Sequence, residues 1–129
     1  MEMVQKDLRT MGELKTAQRI LNSYNFNGIE VAQYTNQYTN LTSGTSIFID
    51  VDAYTFGSVA CIDFDYHPDN LSFYIRFTNY ARPGKFSPEE TIQLAEELTN
   101  LANCVNELNA TVDMKQLKNT LDMYYKGRI

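Results

Sequence analysis

Between residues 20 and 75 the chain carries no lysine and no arginine. Affinity for nucleic acid comes mainly from clustered basic side chains set against phosphate, so this 56-residue gap argues against direct DNA or RNA binding. Cysteine is nearly as scarce. Cys61 and Cys104 form no CxxC and no Cys/His cluster, and His67 is the only histidine. That is too little for a disulfide scaffold or a Cys/His zinc site, and the two thiols are expected to be reduced and buried. A run of about 18 apolar residues is absent, which excludes a membrane-spanning helix. With no basic, apolar, small-residue leader at the start, the expected location is the cytoplasm. The G-x-S-x-G, H-E-x-x-H and phosphate-binding glycine signatures are absent as well, so the expected role is non-enzymatic, with no cofactor. Sequons at Asn40, Asn70 and Asn109 carry little weight in a chain without a signal peptide.

What is present suits one folded unit. The 129 residues are 43% hydrophobic and 12% aromatic, enough to bury a core, and length predicts a single domain over residues 1–129. The net charge of −5 is unevenly spread. Residues 1–19 sum to +1 and residues 76–129 are balanced, whereas residues 20–75 carry Glu30, Asp50, Asp52, Asp63, Asp65 and Asp69 without a compensating cation. A single-sign block of this kind favours basic partners.

Apolar positions Val4, Leu8, Met11, Leu14, Leu21 and Tyr24, with Ala17 between, recur at helical spacing from about residue 3, and Asn25-Phe26-Asn27-Gly28 supplies a stop. The stretch Ile29 to Leu41 is read as a short helix. Val31, Tyr34, Tyr38 and Leu41 keep a helical period and Asn27 with Glu30 has capping-box spacing, although Tyr34 and Tyr38 would also share one face of a strand. Its tandem Gln-Tyr-Thr-Asn tetrapeptide is too short for a repeat architecture. Ser46–Tyr54, Ser58–Tyr66 and Leu71–Tyr80 alternate apolar and polar residues and predict three strands. Phe56-Gly57 and His67-Pro68-Asp69-Asn70 are the expected turns, which set Phe64 opposite Phe73, Ile62 opposite Ile75 and Ala60 opposite Phe77. Ser87-Pro88-Glu89-Glu90 is a helix start, followed by the stripe Leu94, Leu98, Leu101, Val105 and Leu108. After a break near Asn109-Ala110-Thr111, Met114, Leu117, Leu121 and Tyr124 mark a last helix ending by Gly127. The expected fold is α+β: a three-stranded antiparallel meander flanked by N-terminal and C-terminal helices, in the order α(α)βββαα.

Strand alternation sends Ile47, Ile49 and Val51 inward, and Phe48, Asp50, Asp52 and Tyr54 outward. It also sends Cys61, Asp63 and Asp65 outward, with His67 at the strand end, and on the third strand Ser72, Tyr74, Arg76, Thr78 and Tyr80. A two-residue Phe56-Gly57 turn sets Asp50 opposite Asp63, a like-charge pair that something must offset, with diagonal Arg76 as one candidate. Three readings of this face follow. It is a solvated face whose carboxylates guard against aggregation; or a docking surface for a basic protein patch, using Asp50, Asp52, Asp63, Asp65, Tyr74, Arg76 and Tyr80; or a divalent-metal site of a hydrolase or metal-stabilised fold, using Asp50, Asp63, Asp65 and His67, with Asp52 nearby. Cys61 and His67 lie six residues apart, about 20 Å along a strand, too far for a catalytic dyad. The Leu94–Leu108 stripe has coiled-coil spacing and fits either intramolecular packing or a helix-mediated homodimer, so monomer and dimer both stand as expectations.

The segment Ser72-Phe73-Tyr74-Ile75-Arg76-Phe77-Thr78-Asn79-Tyr80 resembles strands of small phage-encoded proteins, over nine residues of 129. With the acidity, the Asn/Thr/Tyr richness and the element order, the chain looks like a phage or mobile-element accessory protein of the anti-CRISPR inhibitor type. That resemblance implies a non-enzymatic inhibitor acting in the host-cell cytosol by occupying a basic nucleic-acid-binding surface of a target such as a Cas nuclease. An immunity or antitoxin protein is the neighbouring reading, differing in its target.

Overall fold

The computed structural model describes residues 12–35, 45–66, 69–78 and 85–125. Helix α1 (Gly12–Ser23) buries Leu14, Ala17 and Leu21 of the spacing read from the sequence, together with Ile20, while Val4, Leu8 and Met11 lie outside the described residues. Asn25 ends it with φ 66°. The Phe26 N–H donates to the Leu21 carbonyl at 3.0 Å and the Asn25 N–H to the Asn22 carbonyl at 3.0 Å, which satisfies the last carbonyls of the helix.

The expected short helix over Ile29–Leu41 is a strand where it is described: β1 (Gly28–Thr35) pairs antiparallel with β2 (Thr45–Asp52), Ile29 opposite Val51 and Glu30 opposite Asp50. Two tertiary contacts override the helical spacing. The capping-box candidate Asn27 donates instead to Asp52 Oδ2 at 3.0 Å, and Gln18 of α1 holds the strand entrance. Gln18 Oε1 accepts from the Ile29 N–H at 3.0 Å while Nε2 donates to the Asn27 carbonyl at 3.0 Å. Gly28 adopts φ +126° directly beneath the Gln18 amide, where any Cβ would overlap it.

Strands β3 (Ala60–Asp65) and β4 (Ser72–Phe77) pair antiparallel in the register expected from the sequence: Phe64 opposite Phe73, Ile62 opposite Ile75 and Ala60 opposite Phe77. The three-stranded meander is replaced by two two-stranded sheets, β1-β2 and β3-β4, which meet at the single bridge Tyr54–Cys61. The connection between β2 and β3 is longer than the two-residue turn expected. A 3-10 turn, Phe56–Ser58, with Gly57 at φ 67°, closes onto Thr55, whose N–H donates to the Ala60 carbonyl at 2.9 Å. The bridge register therefore sets Asp52, rather than Asp50, level with Asp63. A shift of two residues leaves every side chain on its expected face and changes only what it meets.

Helix α2 (Pro88–Thr111) starts on the expected capping box, with the Glu90 N–H donating to Ser87 Oγ at 3.1 Å and the Ser87 N–H to Glu90 Oε1 at 3.0 Å. It runs past Asn109 to Thr111, because Asn109 is used elsewhere and buried Val112 makes the break. Asp113 then caps α3 (Met114–Tyr125), which buries Leu117 and Leu121. The helices cover one side of the sheets: α1 lies on β1, α3 on β2, and α2 on β3 and β4. Ile29, Ile49, Val51, Ala53, Ile62 and Phe73 close against Leu101, Cys104 and Leu108 in one core. The C-terminal half of the Leu94–Leu108 stripe is thus consumed inside the chain, and Cys104 is fully buried and unavailable to a dimer seam. Among the described residues, no helix is long and apolar enough to cross a membrane.

Candidate acidic docking face

The side of the sheets turned away from the helices carries the acidic residues. Asp50, Asp52 and Tyr54 project from β2 and its end, all exposed, as alternation requires. Glu30 joins them on β1, exposed and directly opposite Asp50. The reading of residues 29–41 as a helix hid this residue. As a strand, period-two alternation after buried Ile29 would have exposed it. The like-charge pair expected at Asp50 and Asp63 is in fact Glu30 and Asp50, because β1 lies where no strand was expected.

On β3 and β4 the carboxylate chemistry is different. Asp63 sits opposite Tyr74, and its Oδ2 accepts from Arg76 Nε at 3.1 Å and from the Tyr74 hydroxyl at 3.3 Å. Its Oδ1 accepts from the Phe64 N–H at 2.8 Å. Three donors on one carboxylate make Asp63 internally compensated, with Arg76 in the diagonal role expected of it. Both partners remain partly open, the Arg76 and Asp63 side chains being 44% and 33% exposed, so the ion pair contributes no more than about 1 kcal/mol. Desolvation raises the Tyr74 hydroxyl pKa above its ordinary value, and neighbouring Asp63 raises it further. Asp65 is half-buried at the end of β3.

Cys61 is buried, as expected of a reduced thiol, although alternation turns it outward. It is 1% exposed because Tyr54 stands opposite it at the bridge and Arg76 opposite it in the ladder. Desolvation pushes this thiol's pKa up, partly countered by Arg76. Cys104 is buried in the core, and its thiol is pushed up to about 12 by desolvation and then by Glu107. Both sulfurs are held protonated and covered, so neither is placed as a nucleophile.

His67 and Tyr80, expected at the metal site and at the docking face, lie outside the described residues. Among the described residues, no three His, Cys, Asp or Glu side chains converge as metal ligands. Asp50 and Asp63 face different neighbours, and Asp63 is committed to Arg76 and Tyr74. Two further polar contacts anchor the sheets to the helices. Asn109 of α2 takes both free backbone groups of Phe73, accepting from its N–H at 2.9 Å and donating to its carbonyl at 2.9 Å. At the far end of β3, the Tyr66 hydroxyl donates to Asp122 of α3, and Lys118 Nζ donates to the same carboxylate at 2.6 Å while lying over the Tyr66 ring.

The face as built is a field of carboxylates from three strands, β1, β2 and β3, with Tyr54 and Tyr74 left 48% and 39% exposed among them. Comparison of the chain with known protein families, with curated proteins and with solved structures finds no match.

Proposed function

We propose that the chain is a non-enzymatic binding protein whose acidic sheet face docks on a basic surface of a protein partner. The observation that carries this reading is the common placement of Glu30, Asp50, Asp52, Asp63 and Asp65 on one face, beside half-exposed Tyr54 and Tyr74. Carboxylates steer the encounter and the phenol rings supply contact area at low conformational cost. Asp50 and Asp52 lie exposed beside Glu30, and Asp63 with Arg76 and Tyr74 forms a structured rim. The resemblance to anti-CRISPR inhibitors supplies the partner class: a nuclease of the Cas type, whose positively charged channel this face would occupy in competition with nucleic acid.

Affinity capture with the tagged chain, followed by mass spectrometry at about 0.1 M and about 0.5 M salt, tests the reading. Screening lengths shrink to a few ångströms at the higher salt, so a partner held by this face is recovered at low salt and lost at high salt. The triple change Glu30→Gln, Asp50→Asn, Asp52→Asn should abolish capture at low salt. A partner retained through both manipulations overturns the assignment of the face, and failure to inhibit DNA cleavage by the captured nuclease overturns the inhibitor role.

A further inference from the structure

Asp52 closes β2 and Tyr54 follows two residues on, so the two side chains rise from the same face about 6.7 Å apart along the chain. A phenol ring 48% open to solvent thus stands beside an exposed carboxylate. Both are held in place. The Asn27 amide donates to Asp52 Oδ2 at 3.0 Å and orients the carboxylate without neutralising its charge. The backbone at Tyr54 is fixed by the bonds flanking its bridge to Cys61, from the Thr55 N–H to the Ala60 carbonyl at 2.9 Å and from the Ile62 N–H to the Ala53 carbonyl at 3.1 Å. That pattern makes Tyr54 and Cys61 a non-hydrogen-bonded pair, the closer of the two kinds. Desolvation raises the Tyr54 hydroxyl pKa, and Cys61, Asp50 and Asp52 raise it further against the opposing pull of Arg76, so the phenol stays neutral beside the carboxylates.

Across β3 the chain shows what such a pairing accepts. Asp63, level with Asp52, takes Arg76 Nε at 3.1 Å on the same oxygen that the Tyr74 hydroxyl reaches at 3.3 Å. On the β2 side a carboxylate and a tyrosine recur as Asp52 and Tyr54. Strands β1, β2 and β3 all lie within residues 20–75, which contain no lysine or arginine, so the strands around Asp52 cannot supply the cation themselves.

We propose that Asp52 and Tyr54 anchor an arginine of the partner, its guanidinium hydrogen-bonded to the carboxylate and lying on the phenol ring. This rests on the docking reading and names the side chain that the face selects. Charge alone would admit lysine equally. A planar, weakly hydrated guanidinium can bond a carboxylate through its edge and stack on an aromatic ring at the same time, whereas a strongly hydrated ammonium acts as a point charge.

Two labelled peptides of equal charge, an all-arginine and an all-lysine decapeptide, test the anchor when titrated with the full chain at about 0.1 M salt and followed by fluorescence anisotropy. The arginine peptide should bind about two- to fivefold tighter, the gain of one exposed cation–π contact. Tyr54→Leu should erase that margin and leave the lysine affinity unchanged. Tyr54→Phe should keep the margin because the ring face is retained, and Tyr74→Leu should keep it because that ring belongs to the Asp63 group. Asp52→Asn should weaken both peptides and erase the margin. Equal affinity of the two peptides for the unaltered chain overturns the anchor and leaves the docking reading standing. A margin that survives Tyr54→Leu, or a Tyr54→Leu chain that loses the lysine peptide as well, also overturns the anchor. If neither peptide binds, the docking reading falls and the anchor with it.

Discussion

The two sheets, β1-β2 and β3-β4, are both two-stranded and antiparallel, and each is tied to a helix by an amide side chain, Gln18 for the first and Asn109 for the second. They treat their carboxylates in opposite ways. On β3-β4, Asp63 is saturated by Arg76, Tyr74 and its own following N–H. On β1-β2, Glu30 faces Asp50, and Asp52 receives a neutral amide from Asn27. A charge compensated within its own sheet stabilises the fold and adds little to a partner's interface. A carboxylate exposed opposite another carboxylate, as Glu30 is opposite Asp50, stands open to a partner's cation. The difference divides the acidic face into a structural half and a receptive half.

The largest effect expected from breaking this symmetry is at the amide anchors. Asn109→Ala strips both edge groups of half-buried or buried backbone at Phe73 and should cost about 2–3 kcal/mol, read as a lowered denaturant midpoint. Gln18→Ala should cost somewhat less, since the strand entrance it serves is nearer solvent. Equal losses would show that the two sheets are anchored equally. Next in size is Gly28→Ala, which forces a Cβ into the Gln18 amide at φ +126° and should destabilise by about 1–3 kcal/mol. The loss should be smaller in a Gln18→Ala background, and a fully additive double mutant would refute the steric account.

Alkaline titration separates core from sheet. The folded-state pKa of Cys104 is raised above its unfolded value, so its contribution is intact below about pH 9 and is lost as pH climbs toward about 12. In that window stability should fall by about 1.4 kcal/mol per pH unit for this one proton. Cys104→Ala should flatten the slope by that amount whatever it does to the midpoint, and an unchanged slope would contradict the assignment. Smaller still, Arg76→Ala should cost at most about 1 kcal/mol, the range of exposed ion pairs, while freeing Asp63 and strengthening capture of a basic partner. The smallest is Glu30→Gln. Removing the charge opposite Asp50 should stabilise the fold by a few tenths of a kcal/mol, up to about 1, and weaken partner capture. Stability and binding moving in the same direction would break the distinction between the two halves.

Much of this was legible where the signal is local. The Ser87/Glu90 box, the Asn25 stop and the Phe64–Phe73 register each rest on neighbours in sequence or on one tight turn, and all are as expected. The residues that set the site's geometry through long-range contacts were not legible. Nothing near Gln18 announces that its amide will replace a strand partner for Ile29, and that contact decides between helix and strand for the following segment. The length of the turn at Phe56-Gly57 depends on Glu97 of α2, whose Oε1 accepts from the Phe56 N–H at 2.9 Å, forty-one residues away. Alternation correctly placed Cys61 on the outer side of β3, but only the bridge to Tyr54 explains why that position is dry.

Asn109 also stands at the head of an Asn-Ala-Thr tripeptide, a glycan acceptor signal in a secretory compartment. Its Nδ2, the atom a sugar would join, is the donor that holds the Phe73 carbonyl. Producing the chain through a eukaryotic secretory route would therefore set the glycosylation machinery against β4 for one nitrogen. A modified product should melt lower than the same chain made in a bacterial cytosol, and Thr111→Ala, which deletes the signal and leaves the amide, should abolish the difference.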